Sequence, residues 1–213
     1  MNNREYLERW SSLHGYQEGK GPTGIARGYL LINFYLAKPF VVLRIPADVV
    51  SLIGLLLACM ALLERNTLWA PLFILLSVIS DGLDGAVAIA RDRATKWGAL
   101  WDSTLDRIVE ALWVLTAYFA GVPTWALLIA WCAAATQEYA RARLSSLVNN
   151  EIGVVSICER PVRAIFIAIA LALGIHNLDL QNISILIWMI FQLAALAQVI
   201  KYSYQRLQNS SAQ

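Results

Sequence analysis

The chain of 213 residues is 58% hydrophobic and 15% charged, with a mean hydropathy of +0.55 and a net charge of only +2. That is more apolar surface than one soluble core of this length can hide, so an ordinary soluble domain is excluded and a membrane is the expected solvent. So small a net charge gives no sign of a nucleic-acid partner either.

In chain order, residues 1–21 are polar and lack the short apolar core and small-residue cleavage site of a secretory leader, so no leader is expected. Residues 24–45 mix aromatic, aliphatic and basic side chains before Pro46, which suits a helix lying in the membrane interface or an approach to the first span. Six segments then meet or approach the roughly 20 apolar residues of a spanning helix. They are 47–63, 68–90, 103–121, 124–139, 162–175 and 183–202, with ERNT, GVPT and HNLDLQ among the breaks between them. The expected fold is an all-α integral membrane protein. Residues 1–45 form an N-terminal cytoplasmic segment with a juxtamembrane amphipathic helix, 46–205 a six-transmembrane-helix bundle, and 206–213 a disordered polar tail.

Charge orients this bundle. Arg27, Lys38, Arg44, Arg91, Arg93, Lys96, Arg141, Arg143, Arg160, Arg163, Lys201 and Arg206 fall on one side of it, against Arg65 on the other, so both termini are expected in the cytoplasm. Cys59, Cys132 and Cys158 are an odd number without a CxxC spacing and read as reduced packing residues. His14 and His176 read as surface residues.

The orientation gathers four acids at one cytoplasmic face: Asp81 and Asp84 near the end of the second span, Asp102 and Asp106 near the start of the third. Residues three or four apart share a helix face, so each pair presents two carboxylates to a common point. Two such pairs make an all-oxygen cage of the kind that takes hard Mg²⁺ or Mn²⁺. Interfacial salt bridges to Arg91, Arg93, Lys96 and Arg107 are the plainer alternative, and four acids exceed what helix anchoring needs. Gly85 and Gly98 leave room for a ligand beside the carboxylates, or for close helix packing. Glu110, one turn beyond Asp106, reads as a partner for Arg107.

Asp81-x-x-Asp84-Gly85-x-x-Ala88 followed by Gly98-x-x-x-Asp102-x-x-x-Asp106 resembles the signature of the CDP-alcohol phosphatidyltransferases, DxxDGxxAR…GxxxDxxxD. The resemblance runs from Arg44 to the end of the sixth span. It implies displacement of CMP from CDP-diacylglycerol by the hydroxyl of a polar alcohol, in a homodimeric membrane enzyme. Asp81, Asp84, Asp102 and Asp106 would then hold two Mg²⁺ or Mn²⁺ ions, with Asp106 also the base. Pro46, Ala47, Asp48, Val49, Gly85, Thr95 and Gly98 would meet the CDP-lipid. One position departs from the pattern, because Ile89 stands where the family has arginine. Arg91 lies two residues on and points to nearly the opposite helix face, so either the helix loosens there or the chain does without that cation.

Arg141 and Arg143 close the fourth span, and Arg160 and Arg163 open the fifth. Four guanidiniums at one cytoplasmic mouth suit a phosphate on the acceptor as well as they suit positive-inside anchoring. YxRAR, ERPxR and DSTLDR resemble the phosphatidylinositol-phosphate synthase branch of the family, which implies inositol phosphate as acceptor, with glycerol phosphate as the alternative. A membrane prenyltransferase would carry its acidic motifs on widely separated helices, and an ion carrier would place acids at mid-bilayer with a polar path. A catalytically silent member of the family would bind metal without releasing CMP.

Overall fold

The computed structural model describes residues 1–13, 21–148 and 154–211. Among the described residues every regular element is a helix. They are α1 (Asn3–Leu13), α2 (Gly24–Val42), α3 (Ala47–Leu63), α4 (Trp69–Ala90), α5 (Lys96–Phe119), α6 (Thr124–Leu147), α7 (Arg160–Gly174) and α8 (Leu178–Ser211). The chain divides into two compact units. One holds Met1–Ala61 and Phe73–Leu112, the other Leu62–Leu72 and Trp113–Gln213.

The first unit is built on α4. Gly54 brings α3 against it, for a Cβ at that position would lie 3.3 Å from Ser80 Cβ and 3.4 Å from the Ser77 carbonyl. Ser80 fastens the same contact by donating to the Val50 carbonyl at 2.7 Å. α2 and α3 meet in an elbow of 112° around a break of a few residues. Tyr6 of α1 stacks on Phe34 of α2 with ring centroids 4.9 Å apart. These rings, with Leu30, Val50, Leu83, Val87 and Ile89, form one apolar cluster onto which Leu7 and Trp10 of α1 also pack. α5 begins at a side-chain cap, in which Thr95 Oγ1 accepts the Gly98 amide at 3.0 Å.

In the second unit α8 packs along α6 and α7. Trp113, Trp188, Ile167 and Ile185 are fully buried there. A buried polar chain crosses the α6–α8 contact: Gln192 Nε2 donates to Gln137 Oε1 at 2.8 Å, and Gln137 Nε2 to Ser156 Oγ at 3.0 Å. Such groups are tolerated inside because they satisfy one another.

The helical architecture agrees with the sequence, and some details differ. Among the described residues two helices have the length and hydropathy of spans, Trp69–Ala90 and Leu178–Asn209, and the bent pair Arg27–Val42 with Ala47–Leu63 makes up to three. α7, at 15 residues, reaches about 22 Å, less than the hydrocarbon thickness. α5 and α6 carry charged residues within their length, among them Asp102, Asp106, Arg107 and Glu110 on the former and Glu138, Arg141 and Arg143 on the latter. α1 forms in a segment whose polarity hid its apolar stripe. α8 runs to Ser211, with Gln208 Nε2 donating to Tyr204 Oη one turn back at 2.7 Å. Among the described residues the cysteines are free; Cys158 is buried, Cys59 half-buried and Cys132 exposed, so Cys132 is not the packing residue expected. His14 lies outside the described residues.

Replacing Gly54 by leucine drives a side chain into α4. The Gly54→Leu protein should lose about 1–3 kcal/mol and melt at lower temperature in detergent, with Gly54→Ala affected less. An unchanged melting curve for the leucine variant would contradict the close α3–α4 contact.

Candidate functional site

α4 ends at Ala90 and α5 starts at Lys96, so a short turn returns the chain beside itself. That turn brings Asp81, Asp102 and Asp106 together. One carboxylate oxygen from each lies within 4.8 Å of the others, and all three residues are half-buried. Asp84 stands outside this group and is 4% exposed. Its Oδ2 accepts the Ser51 hydroxyl at 2.5 Å and its Oδ1 accepts the Gly85 amide at 2.6 Å.

Both of those donors are neutral. Hydrogen bonds from neutral groups satisfy a buried carboxylate's lone pairs and leave its charge uncompensated, which favours a cation close by. The converging donors are all carboxylate oxygens, the hard ligand set that Mg²⁺ and Mn²⁺ prefer. The residues present therefore fit a hard divalent ion, with Asp81, Asp102 and Asp106 already gathered and Asp84 bonded to Ser51 and Gly85.

The remaining sequence-derived positions fall around this unit. A Cβ on Gly85 would meet nothing within 4 Å, so the backbone beside Asp84 is open to approach. Thr95 and Gly98 are engaged with each other as the cap of α5. Pro46, Ala47, Asp48 and Val49 lie at the elbow and in the first turn of α3, with Asp48 at the helix's positive end. Arg107 pairs with Glu110 at 2.9 Å, as the sequence predicts. Arg91 lies one residue past the end of α4, and its Nη1 donates to the Arg44 and Ile45 carbonyls.

In the second unit the four arginines sit among acids that the sequence reading passed over. Arg141 makes a two-pronged contact with Glu159, Nη1 to Oε2 at 2.7 Å and Nη2 to Oε1, and also donates to the Val154 carbonyl at 2.9 Å. Arg163 is fully buried and donates to Glu138. Arg160 lies over the Trp113 ring, 5.1 Å from its centroid. Arg143 is exposed and reaches Ser146 at 3.4 Å. Ser51, Glu138 and Glu159 are thus the polar residues missing from the sequence reading. A hint was present in the i,i+3 spacing of Glu138 and Arg141.

Burial pushes the Glu159 carboxyl upward, but hydrogen bonds from Arg141 and the Ser156 amide, with the Arg141 charge, outweigh it and hold the group below its ordinary 4.5. A folded-state value below the unfolded one means that the stabilisation is present above about pH 4.5 and lost as pH falls through the folded value. Melting temperatures of wild type and Glu159→Gln should therefore differ near neutral pH and converge in acid; a gap that widens on acidification would contradict the pairing. For the carboxylate group, Mn²⁺ titration followed by electron paramagnetic resonance should show Asp81→Asn, Asp102→Asn and Asp106→Asn each weakening binding by more than about tenfold, with Ser51→Ala milder. Undiminished Mn²⁺ affinity in all three Asn variants would remove this group as a metal centre.

A family model described as CDP-alcohol phosphatidyltransferase matches residues 34–199. The archaetidylinositol phosphate synthase of Pyrococcus horikoshii is 27% identical over 160 residues, 73% of this chain and 85% of that protein. The enzyme of the same name from Aeropyrum pernix is 37% identical over 108 residues, 51% of this chain, so the match spans about half of that relative's length, 55%. The phosphatidylinositol phosphate synthase of Streptomyces avermitilis is 28% identical over 145 residues, covering 62% of this chain and 57% of its own. Among solved structures, Mycobacterium tuberculosis phosphatidylinositol phosphate synthase with CDP-DAG bound superimposes with a TM-score of 0.65 at 20% identity, over 81% of this chain and 94% of that one. The same enzyme in complex with manganese and citrate gives 0.65 at 19% identity, over 81% and 88%. With the family model spanning most of its length and both aspartate pairs inside the matched region, this chain belongs to the CDP-alcohol phosphatidyltransferase family.

Proposed function

We propose that this membrane protein transfers the phosphatidyl group of CDP-diacylglycerol to a hydroxyl of inositol phosphate, releasing CMP. The observation that carries the reading is the convergence of Asp81, Asp102 and Asp106 on one point, inside the segment that the family model matches. The named relatives differ in the lipid half of their names and share inositol phosphate, which supports that acceptor over glycerol phosphate.

The acceptor oxygen forms a bond to the phosphorus that carries diacylglycerol, and the bond from that phosphorus to the CMP oxygen breaks. CMP leaves with the electron pair. The acceptor's proton goes to a carboxylate oxygen of Asp106, which must lie within hydrogen-bond reach of the hydroxyl. Asp81, Asp84, Asp102 and Asp106 would hold two Mg²⁺ or Mn²⁺ ions, which would supply the positive charge that transfer from a pyrophosphate needs. To join them Asp84 would give up its bond from Ser51. Pro46, Ala47, Asp48, Val49, Gly85, Thr95 and Gly98 meet the CDP-lipid, and the open face of Gly85 supports that assignment. Arg141, Arg143, Arg160 and Arg163 read the acceptor's phosphate. α3 to α8 supply six spans, both termini and the aspartates face the cytoplasm, and the enzyme works as a homodimer in the cell membrane.

Purified protein in detergent, with CDP-diacylglycerol and Mg²⁺, should release CMP when given inositol phosphate, and more slowly or not at all with glycerol phosphate, inositol or serine. Asp106→Asn should lower the rate by at least about 100-fold. CMP release driven by a different acceptor would replace inositol phosphate and keep the chemistry. Retained Mn²⁺ binding with no CMP release from any acceptor would instead favour a silent family member, a reading that the buried Ile89 specifically supports.

A further inference from the structure

Ile89 occupies the position of the family's arginine, and its surroundings explain why. It is 7% exposed within the apolar cluster that includes Tyr6 and Phe34, against which α1 docks. A guanidinium there would be buried without water or a partner acid from that cluster. The nearest downstream cation, Arg91, has a defined destination. Its Nη1 donates to the Arg44 carbonyl at 3.0 Å and to the Ile45 carbonyl at 2.7 Å.

Those carbonyls belong to the elbow between α2 and α3. α2 closes with the Ile45 amide bonded to the Phe40 carbonyl at 2.9 Å and the Arg44 amide to the Val41 carbonyl at 3.1 Å, which puts Arg44 in the left-handed region at φ 58°. α4 closes in the same way. The Arg93 amide meets the Ala88 carbonyl at 2.9 Å, the Asp92 amide meets the Ile89 carbonyl at 3.1 Å, and Asp92 has φ 55°. Neither cap has the glycine that makes this conformation easy, so surrounding contacts must hold both. Arg91 holds the first, and Arg9 of α1 holds the second by its 3.0 Å bond to Asp92. A cation set on the carbonyl end of α2 is also favoured by the helix dipole.

We propose that Arg91 is a positioning residue for the donor. By fixing the carbonyls of Arg44 and Ile45 it sets the 112° elbow, and with it the aim of Pro46, Ala47, Asp48 and Val49, which follow directly. An arginine thus serves the CDP-lipid through backbone placement, without touching the reacting atoms. This rests on the proposed contact of residues 46–49 with the nucleotide.

Steady-state kinetics on Arg91→Ala, Arg91→Gln and Arg91→Lys test it. The alanine and glutamine variants should raise the KM for CDP-diacylglycerol by about tenfold, a change expected from losing charged hydrogen bonds. Their kcat, acceptor KM and Mn²⁺ affinity should stay near wild type, and lysine should restore part of the donor KM. In parallel, spin labels at exposed Ile32 on α2 and Leu56 on α3 read the elbow by a pulsed distance measurement: narrow in wild type, broad in Arg91→Ala. Unchanged donor KM, or a parallel loss of kcat and metal binding, overturns the positioning role. Absence of CMP release from wild type with every acceptor overturns the proposed reaction, and the distance distribution then decides alone whether Arg91 sets the elbow; a narrow one in Arg91→Ala overturns that too.

Discussion

Three aspartate oxygens within 4.8 Å of one another repel, and the first unit is arranged around holding them there. The local chemistry that does so is turn chemistry. α4 stops in a left-handed cap at Asp92, the chain crosses a few residues, and Thr95 starts α5 by capping the Gly98 amide. Because each aspartate pair shares a helix face, closing this turn is enough to bring three carboxylates to one point. The fourth, Asp84, accepts the Ser51 hydroxyl of α3, so α3 also helps to place the acids of the site.

Contacts from outside also hold the helix ends that carry these acids. The first three helices and the elbow all contribute contacts to the C-terminal half of α4 or the turn that follows it. α1 provides Arg9 to Asp92, the α2–α3 elbow accepts Arg91, and α3 provides Ser51 to Asp84. Apolar packing supplies the rest, since Ile89 joins the cluster of Tyr6 and Phe34. The N-terminal helix is therefore part of the site's scaffold. Its polar outer face, with Arg4 and Glu8 bonded to each other at 2.8 Å, explains why composition alone did not mark it as a structural element.

What could be read in advance follows the range of the interactions involved. Asp81, Asp84, Asp102 and Asp106 were legible because i,i+3 and i,i+4 spacing is a property of one helix, and Glu110 with Arg107 was legible for the same reason. Ser51, Glu138 and Glu159 were not, because their partners lie 33, 25 and 18 residues away and only packing brings them together. Arg91 could be seen to face away from the expected arginine position; its bond to two carbonyls 46 and 47 residues earlier depends on the elbow. The spans were legible by hydropathy for α4 and α8. α5 and α6 blur that signal by carrying the very charges on which the proposed chemistry depends.

Under the proposed function, the arginines of the second unit would meet an anion with their charges already paired. Arg141 and Arg163 are held by Glu159 and Glu138, so their guanidiniums are already oriented and would lose little freedom on binding such a ligand. Unpaired guanidiniums packed into that region would repel one another, and the two acids relieve this. Four arginines, Arg141, Arg143, Arg160 and Arg163, against two glutamates, Glu138 and Glu159, leave two positive charges. A phosphate monoester carries roughly two negative charges near neutral pH. Under the proposed reaction the acids thus have a second use beyond structure: they lower the net charge to one that a phosphorylated acceptor neutralises, whereas an uncharged polyol such as inositol would leave it uncompensated.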